Sequence, residues 1–326
     1  MKTLRLLNML GLATFAMLAT TSCESGNQEF DYEGETTVYY SKPCYVRTVE
    51  LGEDQEVDLT EDNLHNINIM AFCGGGYGNG NQITVDYVID PTLIEGKSMV
   101  INNETKPMIL MPQEYYTIEN ANQFVIAKGS LAGGPKIHLT DAFFADAKSL
   151  EANYVIPVKL TKATGVDKII ESQNYTLCAV KFVNPWHAVY LRRGKDQITY
   201  ADNTTAEDIR HTQYMEKGEL LNVVTSGMKQ DKMVVAVRDK AGVAHNVTLL
   251  LNFDDDNNCS ITTNDEHAEV SGTGKFVKAC ENMGGTKRNA LYLDYQVKVD
   301  GVATVATKDT MVVRNRGVVG EYFTVK

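Results

Sequence analysis

The chain has 326 residues, 43% of them hydrophobic and 22% charged, and a formal net charge of −11 at pH 7. This is the composition of an ordinary globular protein, and its length predicts two domains. Because a strongly acidic chain repels phosphate backbones, we expect no nucleic-acid partner.

The N-terminus has the pattern of a lipoprotein signal. Lys2 and Arg5 precede an uncharged apolar run at residues 6–19, which is shorter than the roughly 17–25 residues of a membrane span. The small residues 19–22 followed by Cys23 resemble a loose bacterial lipobox, in which the cysteine is acylated and becomes the first mature residue. The alternative is a plain secretory signal with an incidental cysteine. Removing residues 1–22 removes two positive charges and no negative one, so the net charge becomes −13.

The residues after Cys23 are polar and contain few apolar side chains, so residues 23–35 are predicted to be a flexible tether. This stretch resembles the acidic segment that follows the cysteine in surface-exported lipoproteins of Bacteroidetes. The prediction is therefore a lipidated Cys23 that holds the protein at the outer membrane, exposed at the cell surface.

Period-two hydrophobicity dominates the rest of the chain. Apolar residues alternate with polar ones over 83–89, 232–238, 247–253 and 291–299, and turn-forming residues separate these runs. Such alternation marks strands with one buried and one exposed face. The expected fold is all-β, with two antiparallel β-sandwich domains divided near Pro185, because proline cannot donate a hydrogen bond to a strand ladder. The predicted domains are residues 36–183 and 184–326, the second resembling a jelly roll or a carbohydrate-binding module.

Several motifs of the first half resemble a known domain. Residues 110–118, 123–129 and 154–160 are similar to the N-terminal immunoglobulin-like domain of uncharacterised Bacteroidetes surface lipoproteins, which also precedes the catalytic module of some endo-β-N-acetylglucosaminidase-like glycoside hydrolases of family 18. The resemblance covers roughly residues 36–183. It implies an immunoglobulin-like first domain and a place in a Sus-type glycan-utilisation system, beside a transporter and a glycoside hydrolase.

No motif in the sequence predicts catalysis, a metal site or a cofactor. The six histidines are scattered, and neither a zinc-protease motif nor a nucleophile elbow is present. The acidic segment 252–258 lacks the glycine and the closing glutamate of an EF-hand, so a solvated hairpin turn is favoured over a calcium loop. The five cysteines after Cys23 show no paired spacing, and Cys178 is expected to be buried in a strand.

Sugar binding requires flat aromatic faces with polar groups beside them. Tyr200 and Tyr214 lie in polar surroundings, and the alternation over 291–299 places Tyr292 outward. Trp186 is ambiguous, since one strand register turns it outward as a platform and the other turns it into the core. These four residues are the predicted ligand contacts.

The predicted function is therefore non-catalytic binding of a glycan, such as a host N- or O-glycan, at the cell surface. The alternative is an adhesive or structural outer-membrane lipoprotein that contacts proteins and has no sugar site. A glycosidase is the least favoured class. Its chemistry needs only two carboxylates, which an acidic chain can supply, but the repeated strand–helix pattern of a family-18 barrel is absent.

Overall fold

The computed structural model of the protein describes residues 34–76 and 79–326. Cys23, the predicted signal and most of the predicted tether therefore lie outside the described residues. The described chain consists mainly of β-strands, which confirms the predicted all-β class. No helix within it is long and apolar enough to cross a membrane.

Up to Val183, the described residues contain fifteen strands, two short helices and four 3-10 turns. The strands are β1 Thr37–Tyr39, β2 Cys44–Glu50, β3 Asn66–Asn68, β4 Ala71–Gly74, β5 Ile83–Ile89, β6 Ser98–Ile101, β7 Glu104–Pro107, β8 Ile109–Leu110, β9 Tyr116–Ile118, β10 Gln123–Ile126, β11 Ala132–Gly133, β12 Lys136–Leu139, β13 Tyr154–Thr164, β14 Lys168–Ile169 and β15 Tyr175–Val183. The helices are α1 Thr60–Asn63 and α2 Asp141–Ala145, and the 3-10 turns are Pro91–Leu93, Gln113–Tyr115, Ala147–Leu150 and Glu171–Gln173.

These strands form the predicted sandwich. The sheet β10-β5-β13-β15-β2 encloses a common hydrophobic core with the smaller sheets β11-β4-β1-β14 and β3-β12-β9. Most neighbours are antiparallel, but β2 runs parallel to β15, β1 to β14 and β8 to β13. Cys178 on β15 is fully buried as predicted, and burial raises the pKa of its thiol to about 11. The five cysteines from Cys44 to Cys280 all carry free thiols.

The second domain is one sheet that closes on itself. Its strands are β16 Ala188–Tyr200, β17 Thr205–Arg210, β18 Glu219–Gly227, β19 Gln230–Arg238, β20 Ala244–Phe253, β21 Asn258–Thr262, β22 Ala268–Met283, β23 Thr286–Val299 and β24 Ala303–Asn315, with a 3-10 turn at Met215–Lys217. β16 pairs with β18 on one edge and with β24 on the other, so β16 and β18–β24 form an eight-stranded barrel.

A barrel differs from the two packed sheets that the sequence predicted for this domain. The two architectures share the same alternation of buried and exposed residues, so periodicity does not separate them. The deciding contact is the long pairing between β16 and β24, which joins residues more than a hundred positions apart. Along β23 the alternation is as predicted, with Leu291, Leu293 and Tyr295 facing the interior.

The chain ends in the first domain. After β24, strand β25 (Glu321–Tyr322) pairs with β2, and β26 (Thr324–Val325) pairs with β6. Phe323, between them, is buried in a separate core cluster with Val46 and Met99. This return is a correction to the predicted boundaries, which placed all of residues 184–326 in the second domain.

Candidate ligand-binding site

Two strands, β18 and β17, pair with successive parts of β16 in the barrel wall. Residues 188–192 of β16 pair with β18, whereas residues 194–199 pair with β17. In the described chain no ladder joins β17 to β18 or to β19. The wall is therefore continuous near the first domain and opens farther along β16.

Charged side chains occupy the barrel interior at this opening. Arg192 Nε donates to Asp309 Oδ2 at 2.9 Å, and Arg192 Nη2 donates to the Tyr295 hydroxyl at 3.0 Å. Tyr295 in turn donates to Asp309 Oδ2 at 3.1 Å. The Asp309 side chain has no solvent exposure, so this triangle of contacts satisfies a buried charge that would otherwise be strongly destabilising.

A second arginine joins the same network from β17. Arg210 makes a two-pronged contact with Asp196 and donates from Nη2 to Asp309 Oδ1 at 2.7 Å. Thr307 donates to Asp196 Oδ1 at 2.7 Å. Asp309 thus bridges the two guanidinium groups. Gly194 leaves room for it, because a Cβ at that position would lie 2.2 Å from Asp309 Oδ1.

The network keeps both arginines charged. Burial acts to lower the pKa of Arg210, but its hydrogen bond to Asp196 and the charge of Asp309 outweigh burial and raise it. Burial raises the pKa of Tyr295 well above its ordinary value, and the Asp309 carboxylate adds to this effect. At neutral pH the site therefore holds two guanidinium cations and a neutral phenol.

On the outside of the wall, these arginines line a cleft of about 420 Å³, which we call the outer cleft. Its volume lies within the range typical of small-molecule sites. Its floor and sides combine apolar and polar residues: Leu191, Arg192, Arg193, Ile209, Arg210, His211, Thr212, Gln213, Met215, Gly218 and Glu219. Tyr214 belongs to the loop that borders this cleft.

The four predicted contact residues differ in their positions relative to the outer cleft. Trp186 is only 6% exposed, stacks on Phe253 at 4.0 Å between ring centroids and donates from Nε1 to Asn257. It is a core residue, so its prediction as a ligand contact is wrong. The physical reason is the register of β16, in which Trp186 shares the inward face with Ala188 and Tyr190.

Tyr200 also lies on the inward face, partly buried at the far end of β16 and away from the outer cleft. Tyr292 faces outward as predicted, and its hydroxyl donates to Glu281 Oε1 at 2.8 Å. Glu281 also accepts from Arg193, a lining residue of the cleft, at 2.6 Å. The Glu281 side chain therefore links Tyr292 to Arg193 in the wall of the cleft.

Tyr214 is 49% exposed, and the ammonium of Lys217 lies 5.1 Å from the centre of its ring. The Tyr214 ring is thus exposed between Gln213 and Met215, two residues that line the outer cleft. Of the four predicted residues, Tyr214 borders the cleft, Tyr292 adjoins it, and Tyr200 and Trp186 lie elsewhere.

Sequence reasoning missed Arg192, Asp196, Arg210 and Asp309. A signal for one of them was present, because Asp309 shares a strand face with Val305, Thr307 and Met311. A charged residue in phase with apolar ones indicates a buried charge that needs a partner. The partner could not be read from the sequence, since Arg192 is 117 positions away.

Two family models match the chain. Residues 30–167 match a model described as an N-terminal domain, and residues 185–317 match a domain of unknown function, DUF5627. A crystal structure of a Bacteroides ovatus protein of unknown function is 38% identical, with a TM-score of 0.82, over 90% of this chain and 99% of the other. The chain belongs to the family of that protein.

Other solved structures match the chain at much lower identity. A second Bacteroides ovatus protein of unknown function is 12% identical, covering 87% of this chain and 97% of its own, with a TM-score of 0.47. An auxiliary nutrient binding protein of Bacteroides thetaiotaomicron is also 12% identical, covering 82% and 90%, with a TM-score of 0.43. No curated protein matches the chain. The family match supports the predicted resemblance to proteins of this bacterial group.

Proposed function

We propose that the protein is a non-catalytic glycan-binding lipoprotein of the cell surface, anchored to the outer membrane through Cys23, which binds a sugar in the outer cleft. In this proposal it serves a Sus-type glycan-utilisation system and holds glycans near a transporter and a glycoside hydrolase.

The observation that carries the proposal is the mixture of groups around the outer cleft. Guanidinium and amide groups of Arg193 and Gln213 can donate to sugar hydroxyls, and the Glu219 carboxylate can accept from them. Ile209 and Met215 offer apolar surface, and the exposed ring of Tyr214 can lie against the C–H face of a pyranose. This combination suits a ligand that is polar at its edges and apolar on its faces.

The non-catalytic part of the proposal rests on how the carboxylates are held. Glycosidases use one carboxyl group as a proton donor and a second as a base or nucleophile. Glu219 is the one carboxylate among the described residues that line the outer cleft. Behind the cleft, Asp196 and Asp309 each already accept two or more hydrogen bonds from arginine and hydroxyl donors. Both are therefore committed to holding the arginines in place.

Calorimetry on the chain from Glu24 onwards, which includes every described residue, tests the proposal. The panel contains N-glycans, mucin O-glycans and plant polysaccharides. A stacked ring contributes about 0.5–1.5 kcal/mol beyond burial, so Tyr214→Ala should weaken binding several-fold. Gln213→Ala should weaken it as well, and Tyr292→Ala less. The matched control is Tyr322→Ala, an exposed tyrosine on β25 of the first domain.

Three results would contradict parts of the proposal. Binding that is unchanged in both Gln213→Ala and Tyr214→Ala would move the sugar site away from the outer cleft. No binding to any glycan would favour the adhesive or structural alternative. Release of reducing ends by the purified protein would make it an enzyme.

A further inference from the structure

A second cavity lies on the inner side of the same wall. It has a volume of about 310 Å³ and opens between β17 and β19, where Asp208 and Arg238 stand at its edges. We call it the inner cavity. Three residues, Arg192, Arg210 and Glu219, line both the inner cavity and the outer cleft, so they form the partition between the two spaces.

The inner cavity has an apolar half made of branched aliphatic side chains. These come from inward positions on four strands: Ile198 on β16, Val235 and Val237 on β19, Val297 on β23 and Val305 on β24. The single aromatic residue of the lining is Tyr295, whose hydroxyl is held in the ion network. Branched aliphatic walls suit a flexible hydrocarbon chain, whereas a sugar ring is better matched by flat aromatic faces.

The other half of the inner cavity is polar and carries no net positive charge. The cations Arg192 and Arg210 are balanced by Asp196 and Asp309, and Glu219 adds one negative charge. Arg210 Nε is buried and lies 3.9 Å from Glu219 Oε2, so the groups that a ligand can reach at this end are the lining side chains of Asp196, Glu219 and Thr307. A ligand head that can donate to these carboxylates without bringing a charge, such as a hydroxyl, fits this end. A carboxylate would meet the three acidic side chains.

We propose that the inner cavity binds an uncharged amphiphile, with its aliphatic chain against the valines and its hydroxyl-bearing head at the arginine network. This site is separate from the proposed sugar site, and neither requires the other. An alkyl glycoside would combine the two chemistries, because the partition side chains of Arg192, Arg210 and Glu219 face both spaces.

Calorimetry with straight-chain alcohols tests the cavity directly, on the chain from Glu24 onwards and without detergent. Each added methylene should strengthen binding about fourfold until the cavity is full. The affinity should stop rising at about ten carbons, because a cavity of about 150 Å³ holds the six carbons of benzene. Octanoate should bind at least tenfold more weakly than 1-octanol. Octyl glucoside below its micelle concentration tests whether the head is a sugar, with methyl glucoside as its chain-free control.

Substitutions on one strand give matched controls. Val235 is 6% exposed and lines the cavity, whereas its neighbour Val234 is 49% exposed and points outward. Val235→Phe should reduce octanol affinity at least tenfold, and Val234→Phe should leave it unchanged. Should Val235→Phe fail to fold, Ile198→Ala provides a second measurement, because it enlarges the cavity and should move the plateau to longer alcohols.

Clear results would overturn this proposal. Absence of alcohol binding, affinity that does not depend on chain length, or equal losses in Val234→Phe and Val235→Phe would each remove the site. A preference for octanoate over octanol would contradict the uncharged head. Because the panel of soluble glycans contains no alkyl chain, failure of the sugar proposal and failure of this one are separate results.

Discussion

The guanidinium of Arg316 donates a 2.9 Å hydrogen bond to the backbone carbonyl of Leu51, a residue of the other domain 265 positions earlier. The same guanidinium donates to the carbonyls of Asn184 at 2.7 Å and Pro185 at 2.8 Å. The backbone at Gly52 approaches the backbone at Pro185 very closely, since a Cβ on Gly52 would lie 2.8 Å from Pro185 Cα. One buried side chain therefore joins the end of the barrel, the linker and the first domain.

We expect Arg316→Met to destabilise the protein by roughly 3 kcal/mol. The substitution removes the side-chain donor from all three carbonyls, and only that of Asn184 keeps another, the His187 amide at 3.4 Å. Each unsatisfied buried group costs about 1–3 kcal/mol before relaxation. Urea unfolding measures the loss, and Arg314→Met is the control because Arg314 is exposed on the same segment. Equal effects of the two substitutions would contradict the bridging role of Arg316.

The C-terminal return predicts a second stability effect. Phe323 packs among Val46, Met99 and Leu177 of the first domain, so Phe323→Ala should cost about 3 kcal/mol. Val325→Ala, at a largely exposed position on β26, should change stability little. Denaturant unfolding of both variants checks this. A first-domain fragment that ends at residue 183 lacks β25 and β26 and should be less stable than one to which residues 318–326 are restored.

The fold was predictable wherever a local pattern decides it. Alternation on β5 and β23 correctly predicted which residues are buried, and Tyr292 faces outward for the same reason. Closure of the barrel and the return of β25 were not predictable, because both depend on pairings between distant segments. The short β25 and β26 have no periodicity long enough to reveal their partners.

The candidate site was predictable only in part, for a related reason. Tyr214, which borders the outer cleft, was singled out because it lies in a polar loop, where an aromatic ring is conspicuous, and its role as a ligand contact stays a prediction. Trp186 was misplaced because the alternation around Pro185 allowed two registers, and only the packing against Phe253 decides between them. The ion network around Asp309 combines residues from β16, β17, β23 and β24, which only the closed sheet brings together.

The anchor at Cys23 stays a prediction. Cys23→Ala should abolish acylation, and the protein should then appear in the soluble fraction or remain unprocessed. Detergent partitioning and mass measurement of the mature N-terminus provide the test. A substituted protein that is cleaved normally and is still bound to the membrane would contradict the anchor.

One buried and one half-buried titratable group, Asp231 and His187, lie at the barrel end near the first domain. Burial raises the pKa of Asp231 from 3.8 to about 7, although Asn184, Arg316 and Thr225 act in the opposite direction. Neither carboxylate oxygen of Asp231 has a partner at hydrogen-bonding geometry among the described residues. Burial, with the charges of Arg316 and Lys181, lowers the pKa of His187 from 6.5 to about 4, and its neutral Nδ1 accepts from the Thr225 amide at 3.1 Å.

These shifts have opposite effects on stability. Between pH 4 and 7 folded Asp231 retains a proton that the unfolded chain has lost, so its contribution to stability falls as the pH rises. Between pH 6.5 and 4 folded His187 lacks a proton that the unfolded chain binds, so its contribution falls as the pH drops. From about pH 4 to 6.5 each group makes the folded and unfolded states differ by one bound proton, in opposite directions. The two contributions therefore cancel, and the pair leaves the free energy of unfolding nearly independent of pH.

In Asp231→Asn, the pH dependence of stability that His187 contributes should therefore no longer be cancelled. The variant should become more stable as the pH rises from 4 to 6.5, and its advantage over the parent should grow by up to about 4 kcal/mol between pH 4 and 7, since each unit of pKa shift corresponds to about 1.4 kcal/mol. Urea unfolding at half-unit pH intervals measures this difference, with Asp255→Asn in the exposed turn after β20 as the control. A difference between variant and parent that stays constant over this range would show that Asp231 is ionised in the folded protein, and the Asn184 amide and Thr225 hydroxyl would then be its stabilising partners.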